Sequence, residues 1–349
     1  MVKMQNFAGC FASFTINRPA YVIINHTAQH RENGRMENNM NDITIKTNLQ
    51  EEPGAASADR NRLKHIESSL RTKYKHKIFN KFVQAICDYE LVRPDDRIAI
   101  CISGGKDSML MAKLFQELKR RNKIPFEIKF LCMDPGYTER NRQQIENNAK
   151  LLNLPITFFK TKIFDSVFHV EQNPCYLCAK MRRGFLYRYA REAGCNKIAL
   201  GHHFNDIIET NVMSMIYGGE VRTMMPKVKS ANWEGMELIR PMYYVREADI
   251  KSWRDENHLE FLQCACRFTE QIAAANPNEP APSKRQEIKQ LIAKLSAENP
   301  QVPNNIFHAM ENVNLSVVLN YKLNGVLHRV LDEYDEITQA EDIADSDFI

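Results

Sequence analysis

Residues 96–115 read DRIAICISGGKDSMLMAKLF, an almost wholly apolar run that gives way to two glycines, a lysine and an aspartate. The run from Arg97 to Ile102 predicts a buried strand, and apolar residues then recur at helical spacing from Leu110 onward. A glycine-rich turn between a strand and a helix start directs backbone N–H groups and the helix dipole at an anion. Lys106 adds a positive charge and Ser108 a hydroxyl. The turn therefore predicts a phosphate-binding site.

The turn matches neither of the two commonest phosphate motifs, the Walker A loop and the Rossmann fingerprint, because its glycine spacing differs from both. A plain alternative is a tight turn in which glycine supplies only backbone freedom. The hexapeptide SGGKDS after a strand resembles the PP-loop of the N-type ATP pyrophosphatases. That resemblance implies ATP cleavage between the α- and β-phosphates and AMP transfer to a substrate oxygen. The implied nucleotide-binding residues are Ser103, Gly104, Gly105, Lys106, Asp107 and Ser108.

Strands and helices are predicted to alternate after the turn. Further strands are expected at 126–133, 156–159 and 197–200, with helices at about 138–152 and 176–192. This alternation predicts an α/β fold, a parallel sheet with helices on both faces. Ligands bind beyond the carboxyl ends of such strands, so Ser103, Met133–Asp134 and Gly201–His202 should meet in one crevice.

Three residues at or just after predicted strand ends have open roles. Met133 could contact adenine through its backbone and side chain. His202 and the adjacent His203 either pack at a helix start or contact phosphate or ribose; both interpretations fit residues that follow a strand.

The chain is predicted to have four parts. Residues 1–60 are polar and read as a disordered tail, and residues 61–93 as a basic helical segment, with an apolar face at four-residue intervals from Tyr74 to Ile86. Residues 94–270 form the PP-loop domain, and residues 271–349 form a helical extension, helical to about Ala297, with an acidic tail. From Arg62 to Lys81 there are seven basic residues and one acidic residue.

Charge is unevenly distributed along the chain. The net charge is +4, yet the segment 332–349 holds eight acidic residues and no basic one, so the rest of the chain carries about +12. A basic body suits a polyanionic partner, although a solvated charged face is a common alternative. No stretch approaches the ~20 apolar residues of a membrane span. A cytoplasmic protein is expected.

Nine cysteines are too dispersed for a secreted disulfide framework. Cys175 and Cys178 form a C-x-x-C at a helix start, a setting that lowers thiol pKa and favours metal binding. A redox dithiol or two buried thiols are the alternatives. Cys264 and Cys266 could supply further ligands, either for a four-thiolate zinc site or for a three-thiolate 4Fe-4S cluster. The remaining cysteines in apolar runs, expected in the core, are Cys87, Cys101, Cys132 and Cys195.

Four motifs taken together resemble the TtcA-like tRNA 2-thiocytidine synthetase family within the N-type ATP pyrophosphatases. They are SGGKDS, PCYLCAKMRRGFLY, LGHHFNDIIETNVMSMIYGG and RPMYYVREADI, in the order of the family. The resemblance implies ATP-dependent thiolation of cytidine 32 in tRNA and often a homodimer. It also implies a cysteine desulfurase or another sulfur donor as partner.

The same resemblance implies roles for individual residues. Cys175, Cys178 and a third cysteine would hold a 4Fe-4S cluster, with Cys264 at the position where the family places its ligand. Lys106 would serve the phosphates, and Asp107 and Asp206 a magnesium ion or the loop geometry. Two departures stand out: the GHHRDD of the family is GHHFND here, with Asn205 in place of an aspartate, and the second cysteine pair is C-A-C.

The basic helix and Arg182–Arg183 are expected to bind the tRNA backbone, with the target base splayed into the crevice. Three functions are carried forward. The first is an ATP-dependent tRNA thiolase, and the second is a PP-loop ligase or amidotransferase acting on a small molecule. The third is a non-catalytic, metal-containing tRNA-binding protein.

Overall fold

The structure, a computed structural model, describes residues 45–46, 55–161, 163, 174–262 and 283–332. The chain divides into two compact units. The first comprises Met1–Phe204 and Met225–Pro280, and the second comprises Asn205–Met224 and Ala281–Ile349. The expected domain at 94–270 corresponds to most of the first unit, but Asn205–Met224 belongs to the second.

The first unit is built on one seven-stranded sheet. Its strands are β1 (Ile45–Lys46), β2 (Arg97–Ile102), β3 (Glu127–Asp134), β4 (Ile156–Lys160), β5 (Lys197–Ala199), β6 (Lys227–Lys229) and β7 (Glu237–Ile239). The spatial order is β1-β4-β3-β2-β5-β7-β6. The five strands from β4 to β7 pair in parallel, while β1 and β6 are antiparallel to their neighbours. The expected parallel α/β sheet is confirmed.

The order of the parallel strands reverses at β2. Successive strands β2, β3 and β4 extend the sheet in one direction, and β5 and β7 extend it in the other. Ligands bind at such a topological switch point, just outside the carboxyl ends of the strands. The phosphate turn follows β2 and Gly201 follows β5, so both lie at this switch point.

Helices connect the strands and complete the chain. They are α1 (Ala55–Arg71), α2 (Asn80–Asp88), α3 (Lys106–Arg120), α4 (Glu139–Leu151), α5 (Pro174–Glu192), α6 (Phe204–Gly218), α7 (Glu247–Glu256), α8 (Lys284–Glu298) and α9 (Val302–His308). The strands and helices expected from 97 to 200 are confirmed, with boundaries that move by at most two residues at either end. Thr138 caps α4, because its hydroxyl accepts from the backbone N–H of Asn141.

The core is formed by the central strands and the apolar faces of the helices. Ile98 and Ile100 of β2 and Phe115 of α3 are fully buried. Cys101, Cys132 and Cys195 are buried as expected, but Cys87 is only half-buried, because it lies near the end of α2. Burial raises the pKa of the Cys101 thiol to about 12, so this cysteine remains protonated.

A buried ion pair joins β2 and β5 at their amino ends. The ammonium of Lys197 lies 2.7 Å from Asp96 and donates to the carbonyl of Leu91 at 3.0 Å. Asn196 donates to the same aspartate and accepts from the backbone of Arg97. These contacts fix the two strands on either side of the switch point.

The N-terminal basic segment differs from the expected single helix. Helix α1 begins at Ala55, before residue 61, where the helical segment was expected to start. Strand β1, which lies within the expected tail, pairs with β4 of the central sheet. A π-helical turn at Lys75–Phe79 then separates α1 from α2. The predicted apolar face is nevertheless confirmed, since Tyr74, Ile78, Phe82 and Ile86 are all buried.

The second unit contains most of α6, α8, α9 and a short hairpin. The hairpin pairs β8 (Asn320–Leu323) with β9 (Val326–Arg329). Asn211 of α6 donates to the carbonyl of Ile306 in α9, and the hydroxyl of Tyr217 donates to Glu287 of α8. The helix expected to end near Ala297 is α8, whereas the hairpin was not expected.

No helix among the described residues is long and apolar enough to span a bilayer.

Candidate functional site

The turn between β2 and α3 requires glycine at Gly104. Its φ is +83°, and a Cβ atom there would lie 2.7 Å from Cγ1 of Ile145. The backbone N–H of Ser103 donates to the hydroxyl of Ser108, which in turn donates to the carbonyl of Gly105. No side-chain cap accepts from the start of α3 among the residues that the structure describes. The first N–H groups of α3 are therefore available to an anion.

The segment after β5 packs directly on this turn. A Cβ atom on Gly201 would lie 3.1 Å from the backbone nitrogen of Ser108 and 3.2 Å from the carbonyl carbon of Asp107. His203 is buried, and its Nε2 lies 3.8 Å from Oδ1 of Asp107. The structure thus brings Gly201 and His203 against the turn. The nucleotide-binding role expected for Gly201, and the choice between packing and ligand contact for His203, remain predictions.

Lys106 is held between two carboxylates. Its ammonium donates to Asp107 at 3.1 Å and lies 3.4 Å from Glu247, the first residue of α7. Lys251, one turn further along α7, lies 3.3 Å from the same glutamate. Glu247 lies in the motif RPMYYVREADI, but the sequence pattern assigns it no role. Its position at the start of a helix is the sequence feature that could have identified it.

One carboxylate oxygen of Asp107 could accept a hydrogen bond or bind a cation. Its Oδ1 is buried and accepts no hydrogen bond from any residue in the described ranges. Nε2 of His203, at 3.8 Å, is too distant to donate a hydrogen bond to this oxygen. Because a buried carboxylate oxygen is costly unless it is paired, the position suits a ligand or a cation that supplies positive charge. Together with the open helix start and Lys106, this oxygen fits a nucleoside triphosphate.

The end of β3 forms the third side of the site. Asp134 accepts from the backbone N–H groups of Gly136 and Tyr137, and it pairs with Arg142 at 3.2 Å. The side chain of Met133 is buried in the apolar core, which leaves its backbone as the part that could meet adenine. Pairing between β2 and β3 stops at Ile102–Cys132, one residue before Met133, although Met133 still pairs with Phe159 of β4.

Comparisons with known proteins agree with this geometry. A family model described as a PP-loop domain matches residues 67–267, more than half of the chain. The tRNA-cytidine(32) 2-sulfurtransferase of Anaeromyxobacter sp. (strain K) is 31% identical over 262 residues, which cover 74% of this chain and 85% of that protein. The enzyme of the same name from Coxiella burnetii (strain CbuG_Q212) is 33% identical over 250 residues, which cover 71% of this chain and 93% of that protein. The chain belongs to the PP-loop family of tRNA-cytidine(32) 2-sulfurtransferases.

One solved structure shares the fold of this 2-sulfurtransferase family member. It is the U34-tRNA thiolase NcsA from Methanococcus maripaludis with its 4Fe-4S cluster, at a TM-score of 0.52 and 18% identity. The match covers 73% of this chain and 81% of that chain. At this identity the likeness concerns the fold.

The proposed cluster ligands of this chain lie beyond what the structure describes in detail. Cys264 and Cys266 fall in the undescribed range 263–282, and the side chains of Cys175 and Cys178 are likewise not described. Within the described ranges, no three His, Cys, Asp or Glu side chains are grouped to hold a metal ion. The cysteine ligand set therefore remains a prediction.

The described backbone nevertheless fits a site at this edge of the sheet. Helix α5, whose first turn carries Cys175 and Cys178, begins at the carboxyl edge because it connects β4 to the parallel strand β5. The backbone N–H of Leu262 donates to the carbonyl of Gly104 at 3.2 Å. Cys264 is only two residues further along, at most about 7 Å of extended chain. Thiolate donors from both segments suit an iron–sulfur cluster.

Asp206 belongs to the second unit. There its carboxylate lies 3.3 Å from the guanidinium of Arg285, and its carbonyl accepts from the hydroxyl of Thr210. The magnesium or loop role expected for Asp206 remains a prediction, as does a phosphate or ribose contact for His202.

Proposed function

We propose that the chain is an ATP-dependent tRNA thiolase that replaces the C2 oxygen of cytidine 32 with sulfur. One observation supports this most directly: the hydrogen bond from Leu262 to Gly104 joins the phosphate turn to the segment that leads to Cys264. Nucleotide activation and sulfur delivery are needed at one carbon atom. A hydrogen bond between the phosphate turn and the segment before Cys264 suits an enzyme that needs both functions at the same carbon atom.

The first step activates the C2 oxygen of cytosine. This oxygen attacks the α-phosphorus of ATP, the bond to the β-phosphate oxygen breaks, and pyrophosphate leaves. The N–H groups at the start of α3 and the ammonium of Lys106 stabilise the charge on the phosphates. The turn positions the nucleotide, which lowers the entropic part of the barrier.

The second step replaces the activated oxygen. Sulfide attacks C2 and AMP departs with the former carbonyl oxygen, so atoms and charge balance without an external oxidant. Cys175, Cys178 and Cys264 would hold a 4Fe-4S cluster, which would supply the sulfide for this attack. The target base must leave its stack for C2 to be reached.

The finer parts of the proposal concern ions and partners. Asp107 is the proposed magnesium ligand next to the turn, because its Oδ1 is buried and accepts no hydrogen bond among the described residues. Asp206 is a second candidate from the family motif. A cysteine desulfurase or another donor would supply sulfur. We further propose a homodimer and a cytoplasmic location.

Pyrophosphate release with and without tRNA tests the function. We expect release that depends on tRNA, together with 2-thiocytidine in the digested tRNA by mass spectrometry. Release without tRNA would instead indicate a small-molecule ligase. No release under either condition would indicate a non-catalytic tRNA-binding protein.

A further inference from the structure

We propose that a polar cleft beside the phosphate turn binds the RNA backbone next to the target base. The inference rests on the proposed function, since it takes tRNA as the substrate. The cleft has a volume of about 790 Å³ and lies between the start of α1, the outer face of α4 and residues 258–260. All of these segments belong to the first unit.

One face of α4 forms a polar wall of this cleft. Arg140, Gln143, Asn147 and Lys150 follow one another at spacings of three and four residues, so they share one helix face. The stripe is about 15 Å long at the rise of an α-helix. The amide of Gln143 donates to Asn147 at 3.0 Å. A cation stands at each end with amides between, which suits phosphates at both ends and sugar or base edges in the middle.

The two cations of this wall are available for a ligand. Arg140 and Lys150 are exposed and form no ion pair with any described residue. By contrast, Arg142 on the same helix pairs with Asp134 and Glu146. The basic segment expected to bind tRNA is partly neutralised, because Lys73 lies 2.6 Å from Glu256.

The charge balance of the cleft favours an RNA strand over a compact polyphosphate. Arg62 adds a third cation, while Asp59 and Glu260 contribute two carboxylates. A small net positive charge that is spread over a wide cleft suits phosphates that are separated by sugars and bases. A compact anion would need convergent cations with no carboxylate beside them.

The opposite wall is held in place and leads to the phosphate turn. The carbonyl of Glu260 accepts from Asn148 at 2.8 Å and from Gln144 at 3.3 Å. The guanidinium of Arg62 donates to the carbonyl of His258 at 2.7 Å. Leu262, two residues after Glu260, binds Gly104 of the turn. A strand in the cleft would therefore place its neighbouring nucleotide at the turn.

Binding of unmodified tRNA to the full chain tests the cleft. The variant combines Arg140→Ala and Lys150→Ala, two exposed residues that hold no other element. We expect affinity at low salt to fall about tenfold, and the log–log salt slope to become shallower by about 1.4 to 1.8, or ~0.7–0.9 per lost phosphate contact. Thiolation at limiting tRNA should fall in parallel.

The matched control combines Lys119→Ala and Lys229→Ala. These exposed lysines lie at the amino-terminal edge of the parallel strands, and the variant has the same change in net charge. We expect its tRNA affinity and salt slope to equal those of the wild type. Unchanged binding in the cleft variant, or an equal loss in the control, would overturn the proposal.

The same measurements distinguish a failure of the proposed RNA-binding cleft from a failure of the proposed thiolation reaction. Cleft-dependent tRNA binding without any 2-thiocytidine product would refute the proposed function and support the cleft. Normal thiolation with wild-type binding in the cleft variant would refute the cleft and support the function.

Discussion

Lys106 is placed so that its charge serves the phosphates of ATP. We expect Lys106→Ala to lower ATP-dependent pyrophosphate release by at least about 100-fold, because a preorganised positive charge at the reacting phosphates is lost. The iron content should stay at the wild-type level, since Lys106 is not a proposed cluster ligand and lies far in sequence from every residue that is. Adding Asp107→Ala should abolish thiolation.

Lys251→Ala is the matched control for Lys106. Lys251 is about as far from Glu247 as Lys106 is, but it is more exposed and lies one helical turn from the site. Its loss should change pyrophosphate release by no more than about twofold. Wild-type turnover in the Lys106 and Asp107 double variant would contradict the PP-loop assignment.

The third cluster ligand is the sharpest prediction at this scale. We expect Cys264→Ala to lose the iron and the brown colour of anaerobically purified protein, because a three-thiolate site cannot spare a ligand. Cys266→Ala should keep both colour and thiolation. The reverse pattern would reassign the ligand to Cys266. Loss with either substitution, together with bound zinc and no iron, would overturn the iron–sulfur mechanism.

Individual site residues were predictable where they are consecutive in the chain or where, like Gly201, they directly follow a strand of the predicted sheet. Ser103–Ser108 could be identified because the strand, the turn and the helix start are consecutive. Glu247 could not, since it approaches Lys106 from a helix far along the chain. Leu262 was missed for the same reason, and its contribution comes from a backbone N–H that any residue but proline carries.

Helices α1 and α3 are joined by a pair of partly buried ionic contacts. Arg71 of α1 donates to Glu117 of α3, and Lys113 of α3 donates to Glu67 of α1. Burial raises the pKa of Glu117, but hydrogen bonds and charge from Arg71, with a further contribution from Arg120, outweigh it and hold that pKa below its ordinary value.

Glu117→Gln should therefore destabilise the protein at neutral pH by about 1–3 kcal/mol, the cost of losing hydrogen bonds to a charged group. A lowered pKa in the folded state gives stability above the unfolded pKa of ~4.3, and this stability is lost as pH falls through the folded value. Differential scanning calorimetry from about pH 3 to 7 should show the wild type converging on the variant at the acid end. A constant gap between them would show that the ionised carboxylate contributes nothing.

The π-helical turn in the basic segment could not be predicted from the sequence pattern. Its apolar residues recur every four positions, wider than the 3.6 of an α-helix, and this alone predicted the buried face. The structure accommodates the wider spacing with i→i+5 hydrogen bonds, from Tyr74 to Ser69 and from Phe79 to Tyr74. A single π-helical turn depends on packing that a periodic pattern does not record.

The net charge of the whole molecule combines a basic body and an acidic C-terminal segment. We expect neutral replacement of the eight acidic residues in 332–349 by Asn and Gln to speed tRNA association roughly tenfold at low salt, because the attractive field strengthens. Stopped-flow association should show the difference at ~0.05 M salt and lose it at ~0.5 M, where the field is screened. Equal rates at low salt would show that the acidic segment does not act through its charge.

The parallel sheet was predictable because each strand is a short apolar run with a helix before the next. The second unit was not, since it joins α6 to the C-terminal helices across a long stretch of chain. Its hairpin did leave a signal. Asn324–Gly325 has positive φ at both residues, and an Asn-Gly pair between short strands is a favoured hairpin turn.

The hydrogen bond between Leu262 and Gly104 also has a thermodynamic consequence. A nucleotide that orders Gly104 would also restrict Leu262, two residues before the proposed cluster ligand Cys264, so the nucleotide and the cluster would share a coupling free energy. Such coupling is reciprocal: if an ATP analogue tightens the equilibrium binding of the cluster by some factor, the bound cluster tightens the analogue by the same factor. An enzyme with this linkage would retain ATP best when its cluster is in place, and would release the nucleotide more readily when the cluster is missing.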